Sequence, residues 1–183
     1  MPRYGTIDHD YALRLAGSDD GPIYMLNLMA YRDEADYGPD GEKGVTGREA
    51  DDRYAPLDVL AEIGASVCFL AEVVAGEWDR VAVVRYPTRK SFIDMQSRPD
   101  FQKQHVHKEA GMERTIILGT VPTADLPSLS SGDLVRLDLL DEPGQFSVEG
   151  AIVGDGRSWA GVTYTPVDAV QGDLVLRTVV SRW

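Results

Sequence analysis

Few residues in this chain have the type and spacing to do chemistry. His105 and His107 stand in the run Gln104-His105-Val106-His107-Lys108. Two residues apart on a helix, they point in different directions, so one metal ion does not easily take both. His105 is the candidate catalytic group, a general base at a cavity mouth whose ordinary pKa of about 6.5 suits proton transfer. The competing reading makes His105 half-buried and structural and His107 solvated. Asn27 is a neutral amide inside an apolar run. Burying it unpartnered costs about 1 to 3 kcal/mol, so a backbone or loop carbonyl, or a ligand oxygen, must satisfy it. Tyr24, Tyr54, Trp78 and Arg85 complete the candidate ligand-binding set, with Tyr31 beside them. Against that stand core packing for the aromatic residues and simple pairing with an acid for Arg85.

Other chemistries lack their signatures. No Gly-x-Ser-x-Gly, Cys-x-x-Cys or His-Glu-x-x-His string occurs, so nucleophilic and zinc catalysis are unsupported. The segment Asp36-Tyr37-Gly38-Pro39-Asp40-Gly41-Glu42 lacks the alternating oxygen ligands of an EF-hand loop, and Gly154-Asp155-Gly156 is turn chemistry, not a phosphate loop. The expectation is no metal and no cofactor, and His9, in a polar lead-in, carries little weight.

Charge narrows the partners. Lys and Arg number 18 against 30 Asp and Glu, a formal charge of −12, so a phosphate backbone would meet repulsion on most faces. Nucleic acid and anionic membrane are disfavoured. Half of the excess lies between Asp33 and Asp52, where eight acids meet two bases in a Gly-rich stretch that reads as a solvated loop. The lone cysteine, Cys68, sits in the apolar run Ser66-Val67-Cys68-Phe69-Leu70, the pattern of a buried, inert thiol in a reducing cytoplasm. Met1-Pro2-Arg3-Tyr4-Gly5 lacks the apolar core of a signal peptide, and no run reaches the roughly 18 apolar residues of a membrane span.

Candidate residues need elements to hold them. After a short helix over Tyr11 to Ala16, the run Pro22 to Arg32 is almost continuously apolar and reads as a buried central strand. Thr46-Gly47-Arg48-Glu49 is a capping box that starts a helix with Tyr54, Leu57, Leu60 and Ile63 on one stripe. Pro56 must kink or break it, because a proline inside a helix costs about 3 kcal/mol. Ser66 to Ala75 and Arg80 to Tyr86 form a hairpin across Gly76-Glu77-Trp78-Asp79. Thr88 caps a helix through Gln96, and Ser97-Arg98-Pro99-Asp100 opens another to about Met112, with Phe101, His105 and Met112 on its inner face. Arg114 to Val121 is the fourth strand.

That order predicts an α+β fold, a ferredoxin-like βαββαβ sandwich over residues 1–125 whose second sheet face is bare. An apolar face of that size calls for a partner, most simply a second copy of the chain in a homodimer. Residues 126–183 follow a linker, Leu126 to Asp133, and form a β-rich C-terminal extension with strands over Leu134 to Leu140, Phe146 to Val153, Trp159 to Thr165 and Leu174 to Val180. The order of strand, hairpin and final strand echoes the first part with its helices removed. Glu72 to Pro87, with Trp78 and Tyr86-Pro87, lies beside Gly150 to Pro166, with Trp159 and Tyr164-Thr165-Pro166. The tail is then either a degenerate repeat or an extension covering a sheet edge or the open face.

The strings Tyr24-Met25-Leu26-Asn27-Leu28, Gly76-Glu77-Trp78-Asp79-Arg80-Val81-Ala82-Val83-Val84-Arg85-Tyr86-Pro87-Thr88 and Ser97-Arg98-Pro99-Asp100-Phe101, with Tyr54 between, resemble the domain-of-unknown-function family numbered 1330, of the dimeric α/β barrel superfamily. The resemblance spans about residues 22–121. The long acidic insertion and the β-rich tail depart from it. It implies a homodimer whose sheets face each other around a ligand cavity, and no settled activity. Three functions are then open: a binding protein for a small hydrophobic molecule in the barrel cavity, a cofactor-independent oxygenase or isomerase on an aromatic or polyketide-like substrate, or a structural protein whose tail recruits a partner.

Overall fold

The apolar run in the first part becomes a strand buried on both faces, and the rest of the architecture is arranged around it. A computed structural model describes residues 4–183, so the first three residues of the segment weighed as a signal peptide lie outside the described residues. Strand β1 (Thr6–Ile7) and helix α1 (His9–Ala16) precede β2 (Ile23–Tyr31), in which every residue from Ile23 to Ala30 is buried. The Thr46 and Glu49 capping box starts α2 (Gly47–Tyr54), and Pro56 sets α3 (Leu57–Glu62) apart as a separate helix, since its ring and missing N–H cannot continue the first one. The hairpin β3 (Ser66–Ala75) and β4 (Arg80–Tyr86) leads to α4 (Arg89–Gln96), capped by Thr88, then to α5 (Pro99–Gly111) and β5 (Met112–Pro122). Strand β2 pairs antiparallel with β4 on one side and β5 on the other, giving the order β5-β2-β4-β3.

The tail adds β6 (Leu134–Leu140), β7 (Phe146–Gly154), β8 (Gly161–Val167) and β9 (Val175–Ser181). Strand β9 pairs with β3, β6 with β9 and β8, and β7 with β5. A short seam, Phe146 opposite Val162 and Ser147 opposite Gly161, joins β7 to β8 and closes the ring. The remaining edge of β7, at Val153 and Gly154, is taken by β1.

This overturns the expected fold class. The ferredoxin-like α/β sandwich that becomes a barrel by pairing with a second copy is replaced by a closed antiparallel barrel of eight strands made by one chain. The face expected to be bare is the barrel's interior, and the tail's strands bury it in cis. A strand's alternation shows that a face must be covered but not which segment covers it. The physical reason given for a homodimer therefore falls away. The tail also repeats the strand order of the first part, with β9-β6-β8-β7 set against β5-β2-β4-β3, and lacks its helices. Residues on either side of 125 thus share one continuous sheet.

Among the described residues, two large clusters make up most of the core. One cluster draws on all eight barrel strands and fills the lumen, with Tyr24, Phe69, Phe146, Tyr164 and Trp183 interlocked at ring separations of 5.2 to 6.2 Å. Cys68 lies in it, its Sγ donating to the Val83 carbonyl at 3.4 Å, and burial pushes the thiol up to about 12. The other cluster lies outside the barrel, where Leu15, Leu60, Phe92, Met95 and Phe101 from the helices meet Ile23, Met25 and Met29 from the opposite face of β2. Among the described residues, no helix is long and apolar enough to cross a membrane.

Candidate functional site

Because side chains alternate along a strand, the residues of β2 divide between the compartments: Tyr24, Leu26 and Leu28 enter the lumen, while Met25, Asn27 and Met29 face the helices. A cavity of about 790 Å³ lies on the helical side. Its floor is Asn27 and Met29 of β2 with Ala82, Val84 and Tyr86 of β4, and its roof is Tyr54, Leu60, Phe92, Met95, Phe101, His105 and Lys108. Most of that wall is apolar. The lumen is packed with side chains, so the cavity expected inside the barrel lies instead between the barrel and its helices.

One end of the cavity is polar, and a close helix crossing sets its geometry. Helices α2 and α5 meet backbone to backbone: a Cβ on Gly47 would stand 2.5 Å from the Gly111 carbonyl oxygen, and one on Gly111 would stand 2.5 Å from that of Gly47. Ala50 and Ala110 pack beside them, with Ala35 and Val45 from the acidic segment. That contact brings Asp51 and Tyr54 of α2 alongside His105 and Lys108 of α5. The acidic stretch is therefore anchored at several points and is not wholly a solvated loop.

Lys108 is 4% exposed, yet it lines the cavity. Its Nζ donates to Asn27 Oδ1 at 3.4 Å and lies 5.2 Å from the centre of the Tyr54 ring. Burial holds its pKa below the ordinary lysine value, opposed in part by the charge of Asp51. The Asn27 amide is held in turn, since its Nδ2 donates to the Met25 carbonyl at 3.0 Å. Asp51 accepts from the Tyr31 hydroxyl at 2.5 Å and from Arg80 Nη1 at 3.0 Å, and Arg80 also reaches Asp52 at 2.9 Å and Glu72 at 3.2 Å. His105 shares a hydrogen bond of 3.0 Å between its Nε2 and the Tyr4 hydroxyl, and its ring packs against Phe101 and Tyr54. Burial, then the charge of Lys108, lowers its pKa, with Glu109 opposing, which favours the neutral ring.

Of the residues singled out from the sequence, Asn27, Tyr54 and His105 meet on this cavity. Tyr24, Trp78, Arg85 and Tyr31 do not line it. Tyr24 is part of the lumen plug. Trp78 sits in the turn between β3 and β4, with the Arg114 guanidinium 4.4 Å above its ring. Arg85 stands opposite Tyr24 in the β2 and β4 register, away from the cavity. His107 bonds through Nδ1 to the Tyr37 hydroxyl at 2.8 Å, so the two histidines serve separate partners. Sequence reasoning missed Lys108, Asp51 and Arg80. Lys108 had a signal, because Phe101, His105, Lys108 and Met112 fall at intervals of four, three and four, one helical stripe.

No family model matches the chain, and no curated protein matches it. Among solved structures it is similar to RPA0582, a protein of unknown function from Rhodopseudomonas palustris. The crystal structure of methylated RPA0582 matches with a TM-score of 0.56 at 29% identity, over 72% of this chain and 99% of that one. A second crystal structure of RPA0582 matches with a TM-score of 0.54 at 28% identity, over 69% of this chain and 98% of that one.

Proposed function

We propose that the protein binds a small, largely apolar molecule with one polar end in the cavity between helices and barrel. The observation that carries this reading is the buried Lys108 and Asn27 pair on an otherwise apolar wall. The volume falls within the roughly 300 to 1,000 Å³ of pockets that enclose drug-sized ligands, and such pockets orient their ligand with a few placed polar groups. A carbonyl or hydroxyl oxygen at that end would accept from Lys108, while the aliphatic or aromatic remainder lies along Met29, Leu60 and Phe92. The single buried thiol of Cys68 supports action in the reducing cytoplasm.

Native mass spectrometry of the purified protein, followed by titration calorimetry with decan-1-ol and decanal, tests the reading. Binding with a negative heat-capacity change, abolished by Leu60→Trp, is the expected result. Absence of binding by either probe, together with a mass spectrum of bare protein, would overturn it.

A further inference from the structure

We propose that Lys108 holds an aldehyde or ketone ligand covalently, as an imine; this rests on the cavity reading above and deepens it. Four observations converge on the amine. Its Nζ lies at the wall of the cavity although the residue is buried, so a ligand reaches it only by entering that space. No carboxylate forms an ion pair with it among the described residues, and its hydrogen bond to Asn27 is long, at 3.4 Å. The Asn27 amide is tied to the Met25 carbonyl, so the acceptor that orients the amine is itself fixed. His105, one turn earlier on the same face of α5, lines the same cavity and is paired with Tyr4. A desolvated lysine without a carboxylate partner favours the neutral, nucleophilic amine.

The step balances without a redox partner. The Nζ lone pair forms a C–N bond to the carbonyl carbon, the C=O π pair moves to oxygen, and oxygen gains a proton as nitrogen loses one. The carbinolamine hydroxyl then takes a proton from water entering the cavity and leaves as water, and the nitrogen lone pair completes C=N. Water is the only product released. Asn27 Oδ1 accepts from the N–H of the protonated imine.

The chain has four lysines, and the other three, Lys43, Lys90 and Lys103, are exposed or half-exposed, so the site is readily mapped. The full-length protein is incubated at neutral pH with stoichiometric decanal and sodium cyanoborohydride, then read by intact mass and peptide mapping. Decan-1-ol serves as competitor and, by calorimetry, as the non-covalent control. The expected result is one decyl adduct, on Lys108, with Lys43, Lys90 and Lys103 left unmodified at stoichiometric aldehyde, because the bound ligand lies against that amine and its lowered pKa favours the neutral form. Decan-1-ol should suppress the adduct, and it should be absent in Lys108→Met and Lys108→Gln. Decan-1-ol binding with adducts spread over Lys43, Lys90 and Lys103 would overturn the imine and leave the cavity reading standing. If neither probe binds, both fall.

Discussion

The helix-clad and bare sides of this barrel use the same strand order to different ends. Strands β2, β4 and β5 are covered on their outer faces by helices, and outward residues of β2 such as Met25 and Met29 are buried there. Strands β6, β8 and β9 give no residue to the buried cluster beneath the helices. Their outward residues include Arg136 and Asp138, paired with each other at 2.9 Å, and the exposed Arg177 and Val179. Both sides contribute equally in kind to the lumen. A closed barrel thus needs only its strands, whereas the cavity with its buried amine lies where helices overlie the sheet.

The sharpest way to break this comparison is to attack the part the two sides share. Phe146→Ala removes the centre of the aromatic plug and should cost about 3 to 5 kcal/mol, read as a lower denaturant midpoint in one transition. Two separate transitions would mean the sides are independent units. Gly111→Ala, which forces a methyl group toward the Gly47 carbonyl, should cost about 1 to 3 kcal/mol and weaken probe binding while the lumen stays packed. Unchanged stability and binding would show that the helix crossing does not set the site. Thr46→Ala removes the cap of α2 and should cost about 1 kcal/mol, read as a small drop in the same midpoint.

Lys108→Met acts with the opposite sign and sharpens the comparison through pH. The folded pKa of Lys108 lies below its ordinary 10.5. Below the folded value both states are protonated and the burial penalty is fully present. Between the two values the folded state has released its proton while the unfolded state keeps it, so the wild-type protein gains stability as pH rises. The variant should therefore melt above wild type at neutral pH, with the advantage shrinking toward pH 10.5. A constant difference across that range would remove the buried charge from the account. Smallest of all, Asp138→Asn on the bare side should change stability by no more than about 0.5 kcal/mol, since a half-exposed surface ion pair contributes little.

Local structure was legible because local rules govern it. The capping box at Thr46 and Glu49, the break at Pro56 and the hairpin over Ser66–Ala75 and Arg80–Tyr86 all stand where the residues placed them. The closure was not legible, because pairing such as Phe69 with Ser181 joins residues far apart in the chain, and alternation carries no address for the covering strand. Asn27 was found because an amide in an apolar strand demands a partner. Its partner escaped notice because a lysine on a helix reads as solvent-facing unless its stripe is counted together with Phe101 and His105. Tyr24, Trp78 and Arg85 went to other places because whether a strand residue faces lumen or helices is settled only once the strand's inward face is known.

The two seams between the first part and the tail, β3 with β9 and β5 with β7, have a consequence for the barrel's chemistry in solution. Were the same strands shared between separate molecules, closure would be a second-order event and dilution would open the ring. Here each seam joins two stretches of one polypeptide, so closure is first order, and the intervening chain imposes an entropy cost that grows only with the logarithm of its length. The effective concentration of one edge at the other is fixed by the tether. The barrel therefore closes at a rate that does not depend on how much protein is present.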